Sequence, residues 1–316
     1  MRAPEFWQKR GLAARLLAPL GALHGASVAL KARIARPFDA GVPVICVGNL
    51  TAGGSGKTPI AIAIAELLRA KGRKPFFLTR GYGGSETGPT LASRAHSAAA
   101  MGDEALLLAR HAQTVVARDR AAGAQLAVEK GADVIVMDDG HQNFRIAKTL
   151  SLVVVDGETG FGNGFQIPAG PLREPVRQGL NRADAVIVAG DGAPDLQGFA
   201  GPVLRAHLQT DGAAFAGQPV FAFAGIGRPE KFFAALEQAG AHMTGTCAFP
   251  DHHPYTEDEI LQLKAVAGSA QLVTTEKDFV RMTVAEREGI RVLKGAAVFE
   301  KPDALAGLLD RALARV

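Results

Sequence analysis

The sequence has little that would point to an extracellular scaffold, a nucleic-acid partner or a repeat architecture. Among 316 residues there are two cysteines, Cys46 and Cys247, far apart and in no metal-like spacing. That usage fits a reducing compartment and gives no basis for a disulfide framework or a zinc cluster. The formal net charge is +4, and no block of like charges is long enough to form a basic tail, so nothing argues for nucleic acid. Internal repeats and low-complexity segments are absent, which removes solenoids and propellers. A clean apolar run of about 20 residues is missing too. The stretch from Gly11 to Leu30 comes nearest, but Arg15, Pro19 and His24 interrupt it.

Length suits one large or two moderate domains, and the apolar and charged fractions are those of a soluble globular chain. Chemistry concentrates in Thr51-Ala52-Gly53-Gly54-Ser55-Gly56-Lys57-Thr58. It follows the apolar run Val44–Val47, which reads as a buried strand, and precedes residues 60–70, which have helical spacing. Strand, glycine-rich turn and helix make a phosphate cradle for ATP. Turn N–H groups and the helix N-terminus face the anion, the lysine reaches the β/γ-phosphates, and the threonine hydroxyl ligates Mg²⁺. Thr51 occupies the position where the usual pattern has its first glycine, so Gly53 and Gly54 must supply the backbone freedom.

Residues 1–36 form a separate region. Arg2, Lys9, Arg10 and Arg15 precede or enter the apolar stretch, and Lys31, Arg33 and Arg36 follow it. A secretory leader does not suit a chain whose ATP cradle begins so soon afterwards. Two readings stay open. One is an interfacial helix, with basic residues on anionic headgroups and Leu, Phe6 and Trp7 in the acyl boundary; the other is a helix packed on the protein's own surface.

Further strands are expected at 74–79, 114–117, 133–138, 152–156 and 185–188, alternating with helices, which predicts a parallel, doubly wound sheet. Residues 85–100 read as a loop. The strand ending in Asp138-Asp139-Gly140 has the form of a Walker B element, with a carboxylate for Mg²⁺. Gly102-Asp103-Glu104 opens a helix, where two carboxylates serve capping or catalysis equally well. Around 190–218 a linker carrying a short hairpin is expected, then a second alternation with strands at 220–224 and 271–275. Thr256 and Glu259 are placed for a capping box. Asp251-His252-His253 reads as a polar turn or as a base oriented by an acid.

In order and spacing these pieces resemble the tetraacyldisaccharide 4'-kinase family. The matching stretches are Val47-Gly48-Asn49-Leu50 leading into the cradle, Arg80-Gly81-Tyr82-Gly83, Gly102-Asp103-Glu104, Asp138-Asp139-Gly140 with Gln142, residues 170–174, residues 225–229, residues 249–252 and Thr275-Glu276-Lys277-Asp278. The missing first glycine is shared. The resemblance implies a P-loop NTPase-like α/β/α sandwich over residues 37–200, a second, smaller α/β/α domain over 201–316 and a membrane-associated N-terminal helix over 1–36. It implies ATP and Mg²⁺, a tetraacyldisaccharide 1-phosphate acceptor from lipid A synthesis, and the cytosolic face of the inner membrane.

It also implies a catalytic pair, Asp103 and His252. Asp103 would take the sugar hydroxyl's proton, assisted by His252 across an interdomain cleft. Thr58, Asp138, Asp139 and Glu104 would hold metal, and Arg80, Gln142, Arg120 and Arg173 would meet phosphate or substrate. Two rivals remain on sequence alone. A membrane-bound switch ATPase shares the Gly-Gly-x-Gly-Lys-Thr loop but carries a lysine where this chain has Ala52. A metal phosphoesterase could use Asp251-His252-His253 but leaves the cradle unexplained.

Overall fold

The computed structural model describes residues 4–93 and 95–315; Arg2 lies outside the described residues. Among the described residues the strands are β1 (Val44–Gly48), β2 (Pro75–Thr79), β3 (Thr90–Leu91), β4 (Thr114–Val116), β5 (Val134–Asp138), β6 (Leu150–Asp156), β7 (Ala185–Ala189), β8 (Val203–Asp211), β9 (Pro219–Ala224), β10 (His242–Ala248), β11 (Gln271–Thr275) and β12 (Ile290–Phe299). The helices are α1 (Leu12–Ile34), α2 (Lys57–Ala70), α3 (Ala98–Met101), α4 (Asp103–Leu108), α5 (Arg120–Glu129), α6 (Val176–Leu180), α7 (Pro229–Gln238), α8 (Glu257–Ala267), α9 (Glu276–Arg281) and α10 (Pro302–Leu313). The strands join in the order β10-β9-β11-β12-β8-β7-β6-β1-β5-β2-β4-β3.

The strands β7, β6, β1, β5, β2 and β4 are mutually parallel, with apolar runs buried on both faces, and the more exposed β8 joins them in parallel at β7. β1 lies between β5 and β6 with Val47 beside Asp138, so the cradle and the Asp-Asp turn emerge side by side from the sheet's carboxyl edge. Open α/β sheets bind ligands at this edge.

The segment near 190–218, expected as a linker carrying a short hairpin, contains the nine-residue strand β8, whose partners are distant strands and not a local hairpin. β8 pairs parallel to β7 and antiparallel to β12. β12 in turn gives Ile290–Leu293 to β11 and Lys294–Phe299 to β8. This β8–β12 ladder joins the two α/β units. Residues 85–100, expected as loop, also hold the short β3 and α3. The capping box of Thr256 and Glu259 is formed at the start of α8.

The second unit has its own core, including Phe215, Val220, Phe232, Leu236 and Val273. The C-terminal helix does not stay with it. Leu305, Leu308, Leu309 and Ala312 of α10 pack with Ile45, Ile64, Leu152 and Ile187 in the first-unit core, and Lys71 Nζ meets Asp310 at 2.6 Å.

Helix α1 lies on the outside of the first unit. Its small residues Ala14, Gly21, Gly25 and Val28 are buried. A Cβ on Gly21 would come within 2.7 Å of the Gln166 carbonyl oxygen, so only glycine permits this approach. The other face exposes Leu12, Leu16, Leu20, Leu23, Leu30 and Ile34, each more than half exposed. Trp7, expected in an acyl boundary, instead donates its indole N–H to the Pro168 carbonyl at 3.0 Å, and Asn163 donates to the Phe6 carbonyl at 3.1 Å. Those two aromatics are tied to the protein; the leucines are not.

Because α10 completes the first-unit core, Leu309→Ala should cost about 2–5 kcal/mol. Urea denaturation would read this as a lowered midpoint at nearly unchanged slope. An unchanged midpoint would mean that α10 is not part of that core in solution.

Candidate active site

The cradle is fixed from beneath by Asn49. Its side-chain amide donates to the Thr51 carbonyl at 2.8 Å and to Ser55 Oγ at 2.9 Å, pulling the two ends of the loop together. Ala52 donates its backbone N–H to the Pro171 carbonyl at 2.7 Å, and Thr51 bridges to Leu172. Gly53 and Gly56 adopt φ of 113° and 81°, a left-handed region that side chains disfavour, while a Cβ on Gly54 would meet nothing. Lys57 and Thr58 follow in the first turn of α2, both buried.

Facing the cradle, Asp138 ends β5 completely buried, and neither carboxylate oxygen has a hydrogen-bond partner. Burial first, then the neighbouring Glu104 and Asp139 charges, push it up to about 7 against the pull of Lys57 and Lys277. A buried carboxylate with both oxygens unspent is what a divalent cation would satisfy. Among the described residues no group of three or more His, Cys, Asp or Glu side chains forms a protein-only metal cage. Thr58 and Asp138 therefore fit Mg²⁺, which keeps waters and takes nucleotide phosphates as ligands.

Asp139 accepts from Arg173 at 2.8 Å and lies 3.6 Å from Lys57 Nζ. Burial alone would raise it, but Lys57 and Arg173 bring it down to about 2. Arg120 is buried, and burial lowers it to about 10 in spite of Asp139 and Asp138; its guanidinium donates to the Ala117 carbonyl. Gln142 turns inward, donating to the Asn49 carbonyl at 2.8 Å and to Glu174 at 2.9 Å. Arg80 is exposed just beyond the end of β2.

The second unit closes over α4. His252 Nδ1 lies 2.9 Å from Asp103 Oδ2, and Arg281 brings Nε to 2.9 Å and Nη2 to 2.5 Å of the same oxygen. Asp103 Oδ1 accepts from the Glu104 N–H at 2.8 Å. Asp103 and the Arg281 side chain are 5% and 4% exposed, so the pair is an internal one. Burial would raise the Asp103 carboxyl, but the His252 hydrogen bond and the Arg281 charge hold it well below the usual range.

Arg281 also donates to Asp278 at 2.8 Å and to the Gly225 carbonyl at 2.6 Å. Lys277 reaches Glu104 at 2.9 Å. Sequence reasoning did not single out Arg281 or Lys277 as site residues, although the Thr275–Asp278 motif pointed at the right turn; nothing in one sequence says which carboxylate they meet. Of the residues that reasoning did name, the fold gathers the cradle, Asp138, Asp139, Glu104, Arg120 and Arg173 at one sheet edge and brings His252 to Asp103.

A family model described as tetraacyldisaccharide-1-P 4'-kinase matches residues 13–314. The chain belongs to the tetraacyldisaccharide 4'-kinase family. It is 53% identical over 320 residues to the tetraacyldisaccharide 4'-kinase of Paramagnetospirillum magneticum, with 98% of each chain covered. It is 49% identical to that of Rhodospirillum rubrum, again with 98% of each covered. The crystal structure of LpxK from Aquifex aeolicus, described as an apo form in complex with ATP, superposes with a TM-score of 0.79 at 25% identity, covering 96% of this chain and 100% of that one. The α/β fold is thus that of the tetraacyldisaccharide 4'-kinases.

His252 is raised above its ordinary value, first by the hydrogen bond to Asp103 and then by the charges of Asp103 and Asp251, with burial opposing. A raised folded value means that the stability it contributes is full below about 6.5 and fades as pH rises through the folded pKa. Asp103→Asn should move the His252 titration down toward 6.5 by NMR. A titration that does not move would remove Asp103 as the cause.

Proposed function

We propose that this protein is an ATP-dependent lipid kinase, moving the γ-phosphate of ATP to the 4'-hydroxyl of a tetraacyldisaccharide 1-phosphate in lipid A synthesis. The observation that carries this reading is the meeting of a complete phosphate cradle with the inter-unit Asp103–His252 pair, in a chain of this family.

Phosphoryl transfer asks for positioning and charge stabilisation more than for covalent chemistry. The cradle's N–H groups and Lys57 would bind the β- and γ-phosphates, and Thr58 and Asp138 would hold Mg²⁺, which would supply positive charge to the phosphates while the bond between the γ-phosphorus and the leaving ADP breaks. Asp139 holds Lys57 and Arg173 in place, and Arg120 adds positive charge beside both aspartates.

We assign the accepting atom for the hydroxyl proton to His252 Nε2. Both oxygens of Asp103 are engaged by donors, and Asp103 fixes the imidazole through Nδ1. Asp251 lies 3.8 Å from Nε2, too far to occupy it. The proton passes from the 4'-oxygen to Nε2 as that oxygen bonds to phosphorus.

The exposed leucine stripe of α1 supports a membrane role. A four-chain acceptor stays in the bilayer, and Lys31, Arg33 and Arg36 at the helix's end suit anionic headgroups. We place the enzyme on the cytoplasmic face of the inner membrane, with α1 in the interface.

Purified protein in detergent with Mg²⁺, γ-labelled ATP and the tetraacyl disaccharide 1-phosphate should label the lipid. Asp103→Ala and His252→Ala should each lower kcat by roughly 10²-fold or more. Hydrolysis of ATP with no label in the lipid would sink the kinase reading in favour of a switch ATPase.

Replacing Leu16, Leu20 and Leu23 together by serine should abolish flotation with anionic vesicles while leaving the detergent assay within about twofold, because these side chains touch nothing in the core. Retained flotation would take the membrane role away from α1.

A further inference from the structure

Lys277 stands in the first turn of α9, directly after β11, and α9 is the second-unit helix that packs against α4. Its Nζ lies 2.9 Å from the carboxylate of Glu104, which follows Asp103 in the first turn of α4. Lys57 from the first unit lies 3.6 Å from Asp139, and Lys277 from the second meets Glu104, so each unit presents one ammonium group to a carboxylate of the site. The cradle accounts for Lys57; nothing in the reading above uses Lys277.

We propose that Lys277 is a phosphate ligand supplied by the second unit, exchanging Glu104 for γ-phosphate oxygens when Mg²⁺ and ATP bind. The proposal rests on the kinase reading above. Three features carry it.

The first is electrostatic. Without nucleotide, the Lys277–Glu104 pair satisfies both charges. Once a cation beside Asp138 draws on the same carboxylates, the ammonium needs another anion, and a triphosphate brings one within reach.

The second is mechanical. Lys277 keeps 32% of its side-chain surface exposed on a flexible stem, so its head can move without the backbone. Arg281, one helical turn on, is locked between Asp103 and Asp278 and has no such freedom. A rotatable ammonium is also a common phosphate binder, acting as a point charge.

The third is its origin. A kinase wastes ATP if it stabilises phosphoryl transfer while water still reaches the site. A phosphate ligand carried on the covering unit makes that stabilisation depend on closure.

The alternative is that Lys277–Glu104 is only a clasp between the units. Binding of ADP and of the non-hydrolysable β,γ-imido ATP analogue, each with Mg²⁺ and without lipid, separates the two by calorimetry on wild type, Lys277→Met and Glu104→Gln. A phosphate ligand weakens the analogue in Lys277→Met by roughly 10-fold or more and leaves ADP within about twofold. Lys277→Arg recovers part of the difference, since charge returns with altered geometry. In lipid phosphorylation, kcat of Lys277→Met falls by roughly 10²-fold.

Equal changes for ADP and analogue, no change in either, or a Glu104→Gln protein that reproduces Lys277→Met in full would overturn the assignment. Should Lys277→Met fail to give a cooperative thermal transition, Lys277→Gln answers the same comparison. If wild type binds the analogue yet never labels lipid, the kinase reading fails, and the two nucleotides still judge Lys277 on their own.

Discussion

Asp103 is a carboxylate kept almost free of water and held by two donors, Arg281 and His252, that belong to the other unit. The desolvation of such a charge is repaid only while both partners stay in place, and loss of one leaves an uncompensated buried ion. Relative placement of the units is therefore coupled to the reacting centre. A second polar contact repeats the coupling farther round the interface: Arg228 reaches Asp156 at 2.6 Å, and Lys231 pairs with Glu158. Between them α9 lays Val280 on Met101, Ala105 and Leu106, so apolar contact backs the ion pairs. Anything that separates the units must break all three, which makes an open state costly unless water or ligand replaces them.

The covalent route between the units is a pair of strands. Chain passes outward once, through β8, and returns once, through β12; the two strands pair with each other before the chain ends in α10 on the first core. A two-stranded antiparallel ladder twists more freely than a wide parallel sheet. The second unit is thus anchored at both ends by first-unit structure, yet it keeps its own core of Phe215, Phe232 and Leu236.

How much of this was legible in the sequence follows from whether the cause was local. The cradle was legible because a strand, a glycine turn and a helix start are adjacent, and Asp138 because a Val/Ile run ending in acid is a short-range pattern. The Thr256 capping box lies within four residues and was read correctly. β8 was missed because its exposed and half-exposed residues, such as His207, Gln209 and Thr210, carry no clean alternation; its partners β7 and β12 make it a strand. α10 has a clear apolar stripe, but no periodicity says that the stripe belongs to a core built more than a hundred residues earlier. Arg281 and Lys277 are the sharpest case. Arginine and lysine on a short helix are ordinarily solvated, and only the α4–α9 contact turns them into partners of Asp103 and Glu104. Family resemblance supplied the Asp103–His252 pairing that spacing could not.

Helix α1 shows how little sequence the membrane question requires and how much packing it does. Composition alone allowed the apolar helix to be an interfacial anchor or a cover on the protein's own surface. Packing divides its residues between two faces: Ala14, Gly21, Gly25 and Val28 go inward, where Gly21 lets the helix sit against Gln166, and Leu12, Leu16, Leu20, Leu23 and Leu30 go outward. A helix meant only to cover its own domain would bury the large side chains, because each leucine taken from water is worth about 1.5–3 kcal/mol. Here that gain is left unclaimed along the whole outer face, over residues Leu12 to Ile34. The loop beside α1 also holds the cradle, since Leu172 pairs with Thr51 while Pro175 lies so near Gly25 that an added Cβ there would come to 3.3 Å of its Cδ. A helix seated in lipid would thereby bring the phosphate site to the membrane surface, where an acceptor too apolar to leave the bilayer must be met.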